Sequence, residues 1–273
     1  MQRTLAVLLA SLTIAFGSPP AAAAESKTDQ RLQDSRRVFE SFSNLSEQSI
    51  PTWLLERAYG VVVIPQVIKV ALGLGGRGGR GVMAVRNPDG SWSNPVFVNL
   101  GGANFGFQWG VQSTELVLVF TSPKTVDGIA GGKVTLGADA SVAAGPVGRS
   151  AAAATDTSFK GQVLGYARNS GFFAGVSLDG SVISVDDGSN ADAYGVPGIL
   201  ASQILEGKAG TPSQAARDFS TALQRATNAA AATPGANAAP AASPAPATQP
   251  DAEQAGAQTF PMEDPAPGAP PPE

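Results

Sequence analysis

The sequence predicts an α+β fold: a predominantly antiparallel β-sheet, barrel-like, flanked by helices on its N-terminal and C-terminal sides. Between residues 60 and 186, short apolar runs follow one another with turn residues between them and no helix separating each pair. That is the pattern of an antiparallel sheet, sandwich or barrel. Segments of helical apolar spacing stand before and after this region. Glycines recur inside the strand-like runs, where they signal bulges, sharp bends or close backbone approach.

Taken in order, residues 26–43, SKTDQRLQDSRRVFESFS, place Leu32, Val38, Phe39 and Phe42 along one side of a helix. In most surface helices such a stripe packs on the protein's own core; membrane contact is the other use of the same geometry. IPTWLLERA (50–58) reads as a short second helix begun by Pro51, and GVVVIP (60–65) as a buried strand that Pro65 stops. GVMAV (81–85), the turn NPDG (87–90), PVFVNL (95–100), ANFGFQWGV (103–111) and ELVLVF (115–120) continue the sheet. A connection, SPKTVDGIAGG, leads to KVTLGADASVAAG (133–145), GQVLGYAR (161–168), FFAGVSL (172–178) and SVISVD (181–186). Asp179-Gly180 between the last two is a hairpin signal. GILASQILEG (198–207) and TPSQAARDFSTALQRATNAA (211–230) read as closing helices, the second capped by Thr211 with Pro212 at its first position.

The ends of the 273-residue chain differ from its body. Arg3, the apolar run Leu5–Phe16 and Ala21–Ala24 predict a signal peptide over 1–24 with cleavage after Ala24. The run is shorter than the roughly 20 residues a bilayer crossing requires. The expectation is an exported protein, periplasmic or secreted, with no transmembrane span after cleavage and at most peripheral contact with an envelope membrane. There is no cysteine to form a disulfide or carry a lipid. Residues 231–273 are rich in alanine and proline, hold acids but no lysine or arginine, and predict a disordered tail that could bind a partner.

Residues 25–230 therefore form the expected domain, and the net charge of −4 comes from the five acids of the tail less Arg3. On this neutral body Arg57, Lys69, Arg77, Arg80 and Arg86 stand in a stretch without an acid, which allows local positive potential. The density is too low for a nucleic-acid binder, so no nucleic acid is expected.

No histidine or cysteine exists, which excludes Ser-His-Asp and Cys-His catalysis, nitrogen or thiolate zinc sites and thiol redox chemistry. In DDGSNAD the spacing of Asp186, Asp187, Asn190 and Asp192 is like a calcium loop, but the glycine is misplaced and Pro197 stands where a closing glutamate belongs. A turn capping its own backbone is the better reading. Asp139, Asp186 and Asp192 form no pair to which acid and base roles can be given. No catalytic residue, metal or cofactor is expected.

The run GLGGRGGRG (73–81) satisfies G-x-G-x-x-G, yet a strand and turn follow it rather than a helix, and no acid stands about twenty positions on. Two readings remain. Bare backbone N–H groups and the forks of Arg77 and Arg80 could cradle an anion, or the run is a bent strand whose arginines point into water.

Several blocks in order resemble the SYLF-domain family of lipid-binding proteins, found in bacteria and in eukaryotic proteins of the cortical actin patch. They are IPTWLLERAYGVVVIPQVIKVALGLGGRGGRGVMAVR, the Trp92–Pro95 and Gly106–Gly110 features, TLGADASVAAGPVGR, GFFAGVSLDGSVISVDDGSNADAYG and ILEGKAGTP, spanning roughly 34–228. The resemblance implies a bacterial exported member that binds anionic phospholipids, phosphoinositides in eukaryotic relatives, without enzymatic activity. Carried over by position, it points to Lys69, Arg77 and Arg80, with Arg57 assisting, and to the helix around Leu32, Phe39 and Phe42. No Src-homology-3 or FYVE module is recognisable in the chain, and export argues against actin as a partner.

Overall fold

The computed structural model describes residues 26–44, 49–146, 161–169, 172–173 and 178–231. The signal-peptide and tail readings lie outside these residues. The order is α1 (Lys27–Asn44), α2 (Thr52–Glu56), β1 (Gly60–Val85), β2 (Val96–Phe120), α3 (Pro123–Ala130), β3 (Lys133–Thr135), β4 (Val142–Ala144), β5 (Val163–Asn169), β6 (Phe172–Phe173), β7 (Val182–Val185), α4 (Asp187–Tyr194), α5 (Ala201–Leu205) and α6 (Gln214–Ala231). Among the described residues these strands form one sheet, ordered β3-β7-β2-β5-β4, with β1 on β2 and β6 on β5. Every pairing is antiparallel except β4 with β5. The α+β class, the dominant antiparallel sheet and the flanking helices are as the sequence predicts.

The sheet is organised by two strands far longer than expected. β1 absorbs both GVVVIP and GVMAV together with the glycine-rich run between them, and β2 absorbs three of the predicted strands. They pair from Met83 opposite Val96, beside the 87–90 turn, to Gly60 opposite Phe120. Pro65 does not stop β1. It sits in a register shift between Ile64 and Val67, where a missing N–H removes no ladder bond.

Glycine lets β1 bend until its own halves meet. A Cβ on Gly81 would overlap the Val63 carbonyl oxygen and stand 2.9 Å from Ile64 Cα; one on Gly79 would stand 2.8 Å from Gln66 O. The other end of the same approach brings the Ala84 carbonyl to 3.4 Å from the Cβ position of Gly60. These contacts curl the sheet.

The curled sheet carries a core on each face. On one, Val61, Val63, Val82, Phe97, Val117 and Val119 meet Leu32, Phe39 and Phe42 of α1, Leu54 and Leu55 of α2 and Phe219 and Leu223 of α6. On the other, Val62, Ile64, Met83, Val98 and Leu118 meet Val126 and Ile129 of α3, Ile199 just before α5 and Ile204 within it. Helix α3 lies in the stretch expected to be a mere connection.

Side-chain bonds to backbone fix the joints. Ser213, not Thr211, caps α6: its Oγ accepts from Ala216 N at 3.2 Å and donates to Asp29 Oδ1 at 2.6 Å, tying the first turns of α1 and α6. Trp92 Nε1 donates to Thr227 Oγ1 at 3.2 Å. At Asp179-Gly180 the turn exists, closed by Ser181 N to Leu178 O at 2.9 Å, with Gly180 at φ +74°. It does not join a hairpin, because β6 pairs with β5 and β7 with β2 and β3; the expected strand's residues 174–177 lie outside the described residues.

Candidate functional site

An open groove of about 650 Å³ runs between α1 and β1. Helix α1 supplies Lys27, Gln30, Arg31 and Asp34, and the strands supply Gln66, Ile68, Gly78, Gly79, Arg80 and Asn99. The helix residues stand at i, i+3, i+4 and i+7, so one flank of α1 faces the strand while the adjacent stripe is buried beneath it. The groove continues past Pro65 and Gln66 toward Arg37, Glu115 and Arg168.

Most cations of this groove are neutralised within the protein. Arg31 donates to Asp186 Oδ2 at 3.1 Å and lies 5.4 Å from the Phe97 ring centre. Arg37 pairs with Asp34. Arg168 pairs with Glu115, donates to Ser41 Oγ at 2.8 Å and sits 5.0 Å from the Phe42 ring centre. Lys27 and Arg80 form no ion pair among the described residues, and both are exposed. With Gln30, Gln66 and Asn99 beside them, they leave a groove rich in hydrogen-bond donors and open to a phosphate-sized anion.

The structure separates the basic residues that the sequence grouped. Arg77 and Arg80 belong to an unbroken register, opposite Gly102 and Asn99, and an odd spacing on a strand puts them on opposite faces. Arg80 shares the face of Val82 and α1. Arg77 shares the face of Met83 and packs by Gly102 and Ser181. Burial pulls its guanidinium below the ordinary value, with the Asp179 charge opposing the shift. Lys69 is half-buried opposite Gln112. Arg57 is exposed at the end of α2, 5.6 Å from the Trp53 ring centre. Neither lines the groove.

Leu32, Phe39 and Phe42, expected from the resemblance to touch lipid, are placed inside the protein. All three are at most 1% exposed, within the core between α1, α6 and the sheet. Withdrawing each from that core would cost about 2 kcal/mol. In this fold the stripe on α1 serves the core, the use that most surface helices make of it. Sequence reasoning missed Lys27, although its spacing to Arg31 and Asp34 already defines the polar flank of α1.

The glycine-rich run divides by position. Gly79 and Gly81 are required by the close approach of the halves of β1, whereas a Cβ on Gly76 or Gly78 would meet only a carbonyl oxygen, at 3.7 and 3.8 Å. The run is a bent strand, with Arg80 beside the groove.

The acidic segment is structural. Asp186 caps α4, accepting from Ser189 N at 3.1 Å and Ser189 Oγ at 2.8 Å. Burial alone would raise its pKa; the bonds from Ser189 and Arg31 outweigh that and hold it below the ordinary carboxylate value. Asn190, fully buried, accepts from Phe97 N at 2.8 Å and donates to Phe97 O at 3.2 Å. Asp187 and Asp192 are exposed. Among the described residues no group of three or more acids is placed to hold a metal ion, and no helix is long and apolar enough to cross a membrane.

Comparison with known proteins names the family. The chain is similar to Protein YSC84 of Saccharomyces cerevisiae, 38% identical over 62% of the chain and 36% of that protein. LAS seventeen-binding protein 3 of the same yeast is 37% identical over 61% of the chain and 37% of its own length. SH3 domain-containing YSC84-like protein 1 of Xenopus laevis is 32% identical over 66% of the chain and 55% of its own length. The chain thus spans between a third and a little over half of these relatives. One of the three is named for binding LAS seventeen, and the expectation against actin finds no support in these names. The family described as Ysc84, Las17-binding protein actin regulator, matches residues 101–252. That is more than half of the chain, and the protein belongs to this family, the SYLF-domain family that its sequence blocks resemble.

Proposed function

We propose that the protein is a non-enzymatic module that binds anionic phospholipid headgroups peripherally at a membrane surface, through the groove between α1 and β1. The observation that carries this reading is the pair of exposed cations, Lys27 and Arg80, in one donor-rich groove and without an acidic partner among the described residues. Lys69 and Arg57 add positive charge outside the groove, while Arg77 contributes less because Asp179 compensates it. Near an anionic surface each such cation contributes on the order of 1 kcal/mol, which gives weak, salt-sensitive binding. The leader-like residues 1–24 support action at an envelope membrane after export, where phosphatidylglycerol, cardiolipin or phosphatidic acid supplies the phosphate.

The test is co-sedimentation of the full chain with vesicles of phosphatidylcholine alone or mixed equally with phosphatidylglycerol, at low and high salt. Binding to the anionic vesicles alone, reversed by salt and weakened in Lys27→Ala/Arg80→Ala, is the expected result. Equal binding by that variant and the parent overturns the groove as the site.

A second reading, an interaction protein that binds a protein partner through its sheet or its Pro-rich tail, is supported by the relatives named for Las17 binding. Salt-insensitive retention in envelope fractions, lost on deletion of residues 231–273, would favour it.

A further inference from the structure

The groove between α1 and β1 holds more than a phosphate needs. At about 650 Å³ it has the size of a pocket for a small molecule rather than for a bare ion. Its two walls also repeat one pairing of groups. On α1, Lys27 and Gln30 stand about one turn apart. On the sheet, Arg80 of β1 lies directly opposite Asn99 of β2 and shares its face, with Gln66 further along the groove. Each wall thus offers a cation with a neutral amide beside it.

These amides differ from others in the fold. Asn87, Asn190, Gln203, Gln214 and Gln224 each bond to another group of the protein through the side chain. Gln30, Gln66 and Asn99 make no side-chain hydrogen bond among the described residues. An amide presents both a donor and an acceptor, and so does a hydroxyl, whereas an ionised phosphate oxygen only accepts. The acceptors of the three amides are therefore of use to a ligand that carries hydroxyls as well as phosphate. A ligand ammonium is disfavoured in the same place by Lys27 and Arg80, which no acid among the described residues offsets.

We propose that the groove selects a phosphate esterified to glycerol, with Lys27 and Arg80 on the phosphate and Gln30, Gln66 and Asn99 on the free hydroxyls. The proposal rests on the headgroup reading and specifies its chemistry. It places phosphatidylglycerol above phosphatidic acid, whose phosphate bears no free alcohol. Charge alone gives the opposite order, because a phosphate monoester is more negative near neutral pH than a diester. Soluble glycerol phosphate carries the same groups, and the experiment separates the two sources.

The full chain is sedimented at low salt with phosphatidylcholine vesicles that hold equal mole fractions of phosphatidylglycerol or of phosphatidic acid. It is then displaced from the phosphatidylglycerol vesicles by glycerol phosphate or by inorganic phosphate. The expected results are tighter binding to phosphatidylglycerol, and displacement by glycerol phosphate at a concentration about tenfold below that of inorganic phosphate. In Gln30→Ala/Asn99→Ala the ratio of phosphatidylglycerol to phosphatidic acid affinity should fall about tenfold, whereas in Lys27→Ala/Arg80→Ala both affinities fall. If the parent prefers phosphatidic acid, or if the ratio is unchanged in Gln30→Ala/Asn99→Ala, the glycerol reading is overturned while the headgroup reading stands. Should that variant fail to fold, displacement of the parent decides alone, and equal potency of the two phosphates overturns the glycerol reading. A parent that binds no vesicle overturns the headgroup reading. Calorimetry of the parent with the two soluble phosphates then decides: a preference for glycerol phosphate keeps the selection with a soluble ligand, and its absence overturns both.

Discussion

The backbone of Gly81 lies against the backbone of Val63, eighteen positions earlier in the same strand, closely enough that a Cβ on Gly81 would overlap the Val63 carbonyl oxygen. The curl of the sheet depends on this approach. Gly81→Ala should destabilise the protein by about 1–3 kcal/mol or more, since backbone must move to admit the methyl group. Gly76→Ala, with one carbonyl oxygen at 3.7 Å, should be tolerated. Urea unfolding of the two variants separates them; equal midpoints would mean that the halves of β1 do not meet.

Asn190 completes the bonding of Phe97 where β7 ends: its amide takes the Phe97 N–H and joins Asp186 N in donating to the Phe97 carbonyl. Asn190→Ala leaves the Phe97 N–H without its partner in the core, a loss of about 1–3 kcal/mol. Asn190→Asp keeps the shape and an acceptor but gives up the donor and buries a charge, so its thermal midpoint should lie well below the parent's at neutral pH and recover partly in acid, as the carboxyl protonates.

Asp186 gives the fold a dependence on pH. Its folded pKa is depressed, so the stability it contributes is fully present above the ordinary carboxylate value near 4 and declines as the pH falls through the lower folded value. Asp186→Asn should cost about 1–2 kcal/mol at pH 7, through the weakened cap on α4 and the lost pair with Arg31. The gap between variant and parent should narrow as the pH falls below the ordinary carboxylate value. A gap independent of pH would show that the carboxylate charge plays no part.

Because Arg77 and Arg80 face opposite ways, they should differ in solution. Lys27→Ala/Arg80→Ala should weaken binding to phosphatidylglycerol vesicles about thirtyfold at low salt, at roughly 1 kcal/mol per cation, and flatten its salt dependence. Arg77→Ala should change affinity by much less. Equal losses would mean that both faces of the strand reach the membrane.

The parts of the fold legible in the sequence were those with an unbroken period. The stripes of α1 and α6 and the apolar runs at the ends of β1 and β2 each announce themselves within a dozen residues. The continuity of β1 does not, because glycines interrupt the alternation and Pro65 looks like a stop; only the opposing register of β2 shows that the strand passes through both. Helix α3 was hidden by its Pro123 and Gly128. The site was half legible: Arg77 and Arg80 could be picked out by charge, and their odd spacing, once the run is known to be strand, already sends them apart. The meeting of Arg80 with Lys27 could not be read, since it depends on how α1 lies across a strand some fifty residues away. The stripe of Leu32, Phe39 and Phe42 is ambiguous in principle, as the same spacing serves a core or a bilayer.

The long register between β1 and β2 also sets an order of assembly. The bridge of Arg86 with Trp92 closes over the tight turn in which Gly90, at φ +85°, donates to Asn87 O at 2.9 Å, and Met83 with Val96 is the first rung of the long ladder beyond it. Each later rung begins from ends already held together, so the entropy of closure is met in small steps until Gly60 reaches Phe120. The meeting of the two halves of β1 has to wait for the hairpin to lengthen and bend. Gly90→Ala should therefore slow refolding, whereas Gly81→Ala should chiefly hasten unfolding. The protein closes as a zipper started at one turn, and the glycines further along β1 are the clasp that holds it shut.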